Sequence, residues 1–104
     1  MKTDKIGFIG LGLIGGSIAK AIKKFYPSTN MIAIASSDET CKLAYDDAVI
    51  SNDKNIPLDE FCDCDIIFLC SPVQVNVEYM SKLKNIISKD CIITDVGSVK
   101  GDIS

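Results

Sequence analysis

The sequence predicts an α/β fold built on a parallel sheet. Three observations carry that reading. Short apolar runs alternate with segments whose apolar residues recur at helical spacing. One run, at 65–71, holds Ile66, Ile67, Phe68, Leu69 and Cys70 in succession, the pattern of a strand covered on both faces. The first apolar run passes directly into a glycine-rich turn and then into a helical pattern. With 104 residues, 47% hydrophobic and 24% charged, the chain suits a single domain over residues 1–104.

Taken in order, residues 5–10 form a short apolar run ending in glycine, a buried strand. Ile14, Ile18, Ala21, Ile22 and Phe25 then mark a helix over about residues 13–25, stopped by Pro27. Residues 31–35 read as a second strand. Ser36 followed by Glu39 resembles a capping box that opens a helix to about Asp47. Val49 and Ile50 read as a short third strand, residues 51–58 as a polar loop, and residues 58–61 as a single helical turn. After the buried strand at 65–71, Ser71 as N-cap and Pro72 as first helical residue start a helix. Its expected buried stripe is Val73, Val77, Met80, Leu83 and Ile87. Residues 91–94 form a last buried strand leading into Asp95-Val96-Gly97-Ser98. The expected architecture is a Rossmann-type doubly wound parallel sheet with its first strand in the interior, ending after about the fifth strand.

Gly10-Leu11-Gly12-Leu13-Ile14-Gly15 matches G-x-G-x-x-G between a strand and a helix, the context that gives the pattern its meaning. Gly10 would permit the tight turn, Gly12 would let a pyrophosphate approach the backbone, and Gly15 would let the helix pack close to the sheet. The phosphates would meet backbone N–H groups of Gly12, Leu13 and Ile14 and the positive end of the helix dipole. An acid about twenty residues on commonly binds the adenosine ribose of NAD. Here that region reads Ala35-Ser36-Ser37-Asp38. The small residues Ser36 and Ser37 would accept a 2′-phosphate, so the missing acid leans toward NADP. The absence of arginine weighs the other way, with Lys42 as a candidate substitute. NAD and NADP both stay open, and helix capping is the plain alternative role for Ser36, Asp38 and Glu39.

All eleven Lys+Arg residues are lysine, and there is no histidine. A Ser-His-Asp triad, a histidine base, a histidine-ligated metal and a guanidinium clamp are therefore excluded within this sequence. A net charge of −3 argues against a nucleic-acid partner. Cys62 and Cys64 are one residue apart, not the two of zinc ribbons, and Cys70 and Cys91 read as small core residues. The five cysteines are expected to be reduced thiols of a cytoplasmic protein, with no metal. Lys2 and Lys5 before an apolar stretch superficially suggest a secretory signal. Five glycines between residues 7 and 16 and the lysines at 20, 23 and 24 argue against one, and no run is apolar enough to span a membrane.

Gly-Leu-Gly-Leu-Ile-Gly-Gly-Ser at 10–17, Ser71-Pro72-Val73, and Thr94-Asp95-Val96-Gly97-Ser98-Val99-Lys100-Gly101 together resemble the prephenate/arogenate dehydrogenase family of tyrosine biosynthesis. The resemblance covers the whole chain but only the family's N-terminal, cofactor-binding part. It implies an NAD(P)-dependent oxidative decarboxylation of prephenate to 4-hydroxyphenylpyruvate, or the corresponding step on arogenate. Ser98 matches the family serine that helps place substrate and nicotinamide, with Lys100 nearby. Ser71, Pro72 and Val73 would contact the cofactor ribose. The resemblance further places the family's catalytic histidine, its carboxylate-binding arginines and its helical dimerisation domain beyond residue 104. A homodimeric parent enzyme is therefore expected, and this chain alone is expected to bind cofactor without turnover. Two other readings remain: the cofactor domain of a pyrroline-carboxylate or 6-phosphogluconate type reductase, and a non-catalytic nucleotide-sensing domain.

Overall fold

A computed structural model describes residues 5–11 and 13–96. It contains four parallel strands: β1 (Lys5–Ile9), β2 (Asn30–Ile34), β3 (Ile66–Leu69) and β4 (Ile92–Asp95). Three helices, α1 (Leu13–Phe25), α2 (Asp38–Asp46) and α3 (Val73–Leu83), connect them, with a single 3₁₀ turn at Leu58–Phe61. The order across the sheet is β2-β1-β3-β4, so β1 lies in the interior, as expected. The chain leaves β1 in one direction to make β2 and returns past it to make β3, which creates a switch point between β1 and β3.

Side-chain alternation along the strands divides the core between the two faces. Ile6 and Phe8 of β1 join Met31, Ala33 and Ala35 under α1 and α2, where Ala19 and Cys41 are fully buried. Phe8 stacks on its register partner Phe68, with ring centroids 5.3 Å apart. Ile9, Ile32, Ile67 and Leu69 face the other way, against Phe61 and against Leu83 of α3. Gly7 belongs to this second face because Phe61 fills its space: a Cβ there would lie 2.4 Å from the ring. Helices on both faces make the sheet doubly wound, and no helix among the described residues is long and apolar enough to cross a membrane.

Several expectations need correction. Val49 and Ile50 are buried but form no strand. Instead, residues 51–55 run along the outer edge of β2 and satisfy it with side chains. Asn52 accepts from Ala33 N at 3.0 Å and donates to Ala33 O at 2.8 Å. Asn55 does the same for Ala35, at 2.8 and 3.1 Å. Ser51 N donates to Met31 O at 2.7 Å. Two carboxamides thus supply the pairing that another strand would give, and the edge is blunted. The described sheet therefore has four strands, not five.

The N-cap of α2 is Ser37, whose Oγ accepts from Thr40 N, not Ser36. α3 begins after Pro72, which takes the N-cap position in an extended conformation, so Ser71 is not its cap. The inward stripe of α3 is Asn76, Tyr79, Met80 and Leu83; Val77 is 60% exposed, and Ile87 lies past the helix, partly buried. β4 is exposed on alternate residues, with Ile92 43% exposed, because it is an edge strand of the described sheet. The most buried thiols are Cys41 and Cys64. Cys70 and Cys91 are half-buried at the margins of the two core clusters, and all five cysteines are unbridged.

Candidate nucleotide-binding cleft

The carboxyl ends of β1, β2 and β3 meet at the switch point and enclose a cleft of about 390 Å³. From β1 come Gly10 and Leu11, from β2 Ile34, Ala35 and Ser36, and from the end of β3 Cys70, Ser71 and Pro72. Val75 and Tyr79, one turn apart on α3, form the remaining wall. Ligands of open α/β sheets bind at such crevices.

The floor is stitched by backbone. Gly10 N and Leu11 N both donate to Ile34 O, at 2.7 and 3.2 Å, and Cys70 N donates to Ile9 O at 2.8 Å. Gly10 has φ +82°, a left-handed conformation that only glycine adopts at little cost. It also faces Ser71 so closely that a Cβ would lie 1.9 Å from Ser71 Oγ. Gly15, in the first turns of α1, would place a Cβ 3.3 Å from Gly10 O and 3.4 Å from Cys70 Sγ. The outer glycines therefore have the turn-forming and close-packing parts expected of them, and both parts serve the same corner of the cleft.

At the β2 end, Ala35 is held by Asn55, and Asp38 Oδ1 accepts from Asn55 N at 3.0 Å. The carboxylate nearest the end of β2 is thus bonded to the 51–55 segment, and no acid lines the cleft among the described residues. Ser36 lines it and is an exposed residue. Ser37 does not line it and caps α2 instead. Lys42 sits 3.8 Å from Asp46 on the exposed face of α2, away from the cleft lining.

On the far side, Asn76 is fully buried. Its Oδ1 accepts from Ser71 N at 3.2 Å, and its Nδ2 donates to Leu69 O at 3.3 Å and to Asp95 Oδ1 at 3.0 Å. Burial, aided by the charge of Asp95, pushes the Cys70 thiol up to about 11, so at neutral pH it is a neutral wall group.

Of the predicted site residues, Gly10, Ser36, Ser71 and Pro72 are brought together at the cleft, with Gly15 packed behind them. Leu13 and Ile14 occupy the first turn of α1, and Val73 is the first residue of α3. Gly12, Ser98 and Lys100 lie outside the described residues. Leu11, Ile34, Cys70, Val75 and Tyr79 also line the cleft, beyond the residues the sequence marks. The first three lie at or just past strand ends, the positions that border a switch-point crevice. Val75 and Tyr79 show only an i, i+4 spacing shared by any helix face.

A doubly wound parallel sheet with a glycine turn at its switch-point cleft defines a nucleotide-binding domain of the α/β class. The profile of one family, described as the prephenate dehydrogenase nucleotide-binding domain, matches residues 18–104. The chain belongs to that family. It is 37% identical over 98 residues to a prephenate dehydrogenase of Bacillus subtilis, which covers 93% of this chain and 26% of that protein. It is 33% identical over 95 residues to a cyclohexadienyl dehydrogenase of Zymomonas mobilis, covering 91% of this chain and 32% of that one. Among solved structures, Synechocystis arogenate dehydrogenase superposes with a TM-score of 0.76 at 32% identity, over 88% of this chain and 32% of that one. Prephenate dehydrogenase from A. aeolicus, solved with hydroxyphenyl propionate and NAD+, gives 0.79 at 26% identity, over 91% and 34%. The chain therefore spans about a quarter to a third of the length of these relatives.

Proposed function

We propose that this chain is the dinucleotide-holding part of a cytoplasmic NAD(P)-dependent dehydrogenase acting on prephenate or arogenate. The observation that carries the reading is the Gly10–Ser71 corner of the cleft, where a left-handed glycine leaves room for no side chain of its own. Ser71 fills the space a Cβ of Gly10 would need, so the loop after β3 closes on the glycine turn, and a ligand in the adjoining cleft would meet both at the switch point. Membership of the prephenate dehydrogenase nucleotide-binding family supports the choice of ligand.

The residues fit a dinucleotide. Gly10, Gly12 and the first turn of α1 at Leu13 and Ile14 would hold the pyrophosphate through backbone N–H groups and the helix dipole. Ser36 would meet the adenosine ribose, and Ser71, Pro72 and Val73 would border the nicotinamide half. When bound, the nicotinamide supplies the hydride acceptor for the oxidation. Ser98 would help orient the substrate beside it, since a hydroxyl can both donate and accept. Groups that take the ring-hydroxyl proton and bind substrate carboxylates are not found in this sequence, which has neither histidine nor arginine. The proposal assigns them to a further part of a longer, homodimeric protein.

The cofactor reading leans to NADP. Among the described residues no carboxylate lines the cleft, and the one nearest in sequence to Ser36, Asp38, accepts from Asn55 N. Lys42 pairs with Asp46 and gives this lean no support.

The test is turnover by the intact gene product, with prephenate and arogenate each offered with NAD+ and NADP+. Activity on one of the two acids is expected, with Ser98→Ala lowering kcat. Failure on both acids would move the reading toward another reductase class. Unchanged turnover in Ser98→Ala would remove that serine from the mechanism.

A further inference from the structure

We propose that Asn76 is a positioning residue of the cleft: its buried carboxamide ties the Ser71 loop to the end of β4, so that both are held in register for the bound nucleotide. The inference rests on reading the cleft as a nucleotide site.

An amide on the inward stripe of a helix runs against the packing rule. A leucine there would bury more apolar surface, and a buried amide is tolerated only when its polar atoms are bonded. Asn76 is fully buried, and all three of its side-chain bonds reach the carboxyl edge of the sheet. The bond from Ser71 N alone could be explained as tidying the start of α3. The other two cannot, because Leu69 O and Asp95 Oδ1 belong to two neighbouring strands.

The placement explains what the amide is for. Ser71 is the residue seated on Gly10, so holding Ser71 N fixes the contact between the loop after β3 and the glycine turn. Asp95 is the last residue of β4 and stands three positions before Ser98 in sequence. One side chain therefore links the cofactor corner to the segment leading to the candidate catalytic serine. Only a group with two N–H donors and an acceptor can make this set of bonds. A carboxylate of the same shape could still accept from Ser71 N, but it would confront Asp95 with a like charge.

The test uses three forms of the chain: unaltered, Asn76→Asp, and Asn76→Asp combined with Asp95→Asn. The double variant restores a donor–acceptor pair with its polarity reversed. Each is checked for folding by circular dichroism and titrated with NAD+ and NADP+ by calorimetry, so that loss of fold and loss of positioning are read separately. In folded Asn76→Asp, the Kd for the preferred nucleotide is expected to rise at least about fivefold, and the double variant to recover part of that loss. A smaller rise in the single variant overturns the proposal, as does a double variant that binds no tighter than the single. If Asn76→Asp does not fold, the double variant decides. Folded and binding within about tenfold of the unaltered chain, it supports the proposal; unfolded or weaker, it overturns it. If the unaltered chain binds neither nucleotide, the assignment of the cleft itself fails, and the role of Asn76 falls with it.

Discussion

Ser71 occupies the space that any residue larger than glycine would need at position 10: a Cβ on Gly10 would lie 1.9 Å from Ser71 Oγ and 2.9 Å from Ser71 N. The contact joins the turn after β1 to the loop after β3, across the crevice where the sheet changes direction. Closeness and left-handed backbone demand glycine independently, so the two demands add.

Gly10→Ala should therefore be costly, by about 1–3 kcal/mol from backbone strain before the clash with Ser71 is counted. Gly16→Ala is the contrasting case. Gly16 lies within α1, and a Cβ there meets nothing within 4 Å. Alanine should stabilise it by about 0.5–1 kcal/mol. Denaturant midpoints of the two variants should shift in opposite directions.

Asn55 closes the edge of β2 by pairing with both backbone groups of Ala35. Asn55→Ala should cost about 1–3 kcal/mol, because two partly buried backbone groups lose their partner. Asn55→Asp should also destabilise, since a carboxylate cannot donate to Ala35 O. Amide hydrogen exchange at Ala35 should quicken in Asn55→Ala, where Ala35 N loses its acceptor, more than in Asn55→Asp, which keeps an acceptor oxygen, with exchange at Ile67 in the sheet interior changing only by the global loss of stability.

Thiol reactivity should follow burial. Burial pushes Cys64 up to about 12 and Cys70 up to about 11, and it also raises Cys41 and Cys91. Cys62 is exposed. At pH 8 a thiol reagent should modify Cys62 first and the other four only slowly. Raising the pH toward 10 should speed the slow group, because its thiolate fraction grows as pH approaches the raised values. Bound nucleotide should slow Cys70, which lines the cleft, more than Cys64, which does not.

Local signals in the sequence sufficed for much of this fold. The strand, glycine turn and helix at the N-terminus were legible because Ile6, Phe8 and Ile9 are apolar, Gly10 is punctuation, and α1 carries a regular apolar stripe. The 3₁₀ turn at Leu58–Phe61 and the interior place of β1 were legible for similar reasons. What stayed hidden depends on partners distant in sequence. Val49 and Ile50 look like a strand because they are buried, but the edge of β2 is satisfied by the side chains of Asn52 and Asn55, 19 and 20 residues from their partners. Apolar periodicity favours Val77, whereas the buried position is Asn76, whose bond to Asp95 spans 19 residues. In the cleft, Gly10, Ser36 and Ser71 could be picked out from motif and strand-end position. Val75 and Tyr79 could not, because helical spacing does not say which face meets a ligand.

The central claim is that the Gly10–Ser71 corner holds a dinucleotide. Its most direct measurement is an NMR titration of the chain with NAD+ and NADP+, following backbone amides. Saturable binding is expected, with the largest shifts at Gly10, Leu11, Ser36, Ser71 and the first turn of α1. Absence of saturation with either nucleotide, or shifts centred away from the carboxyl ends of β1, β2 and β3, would contradict it.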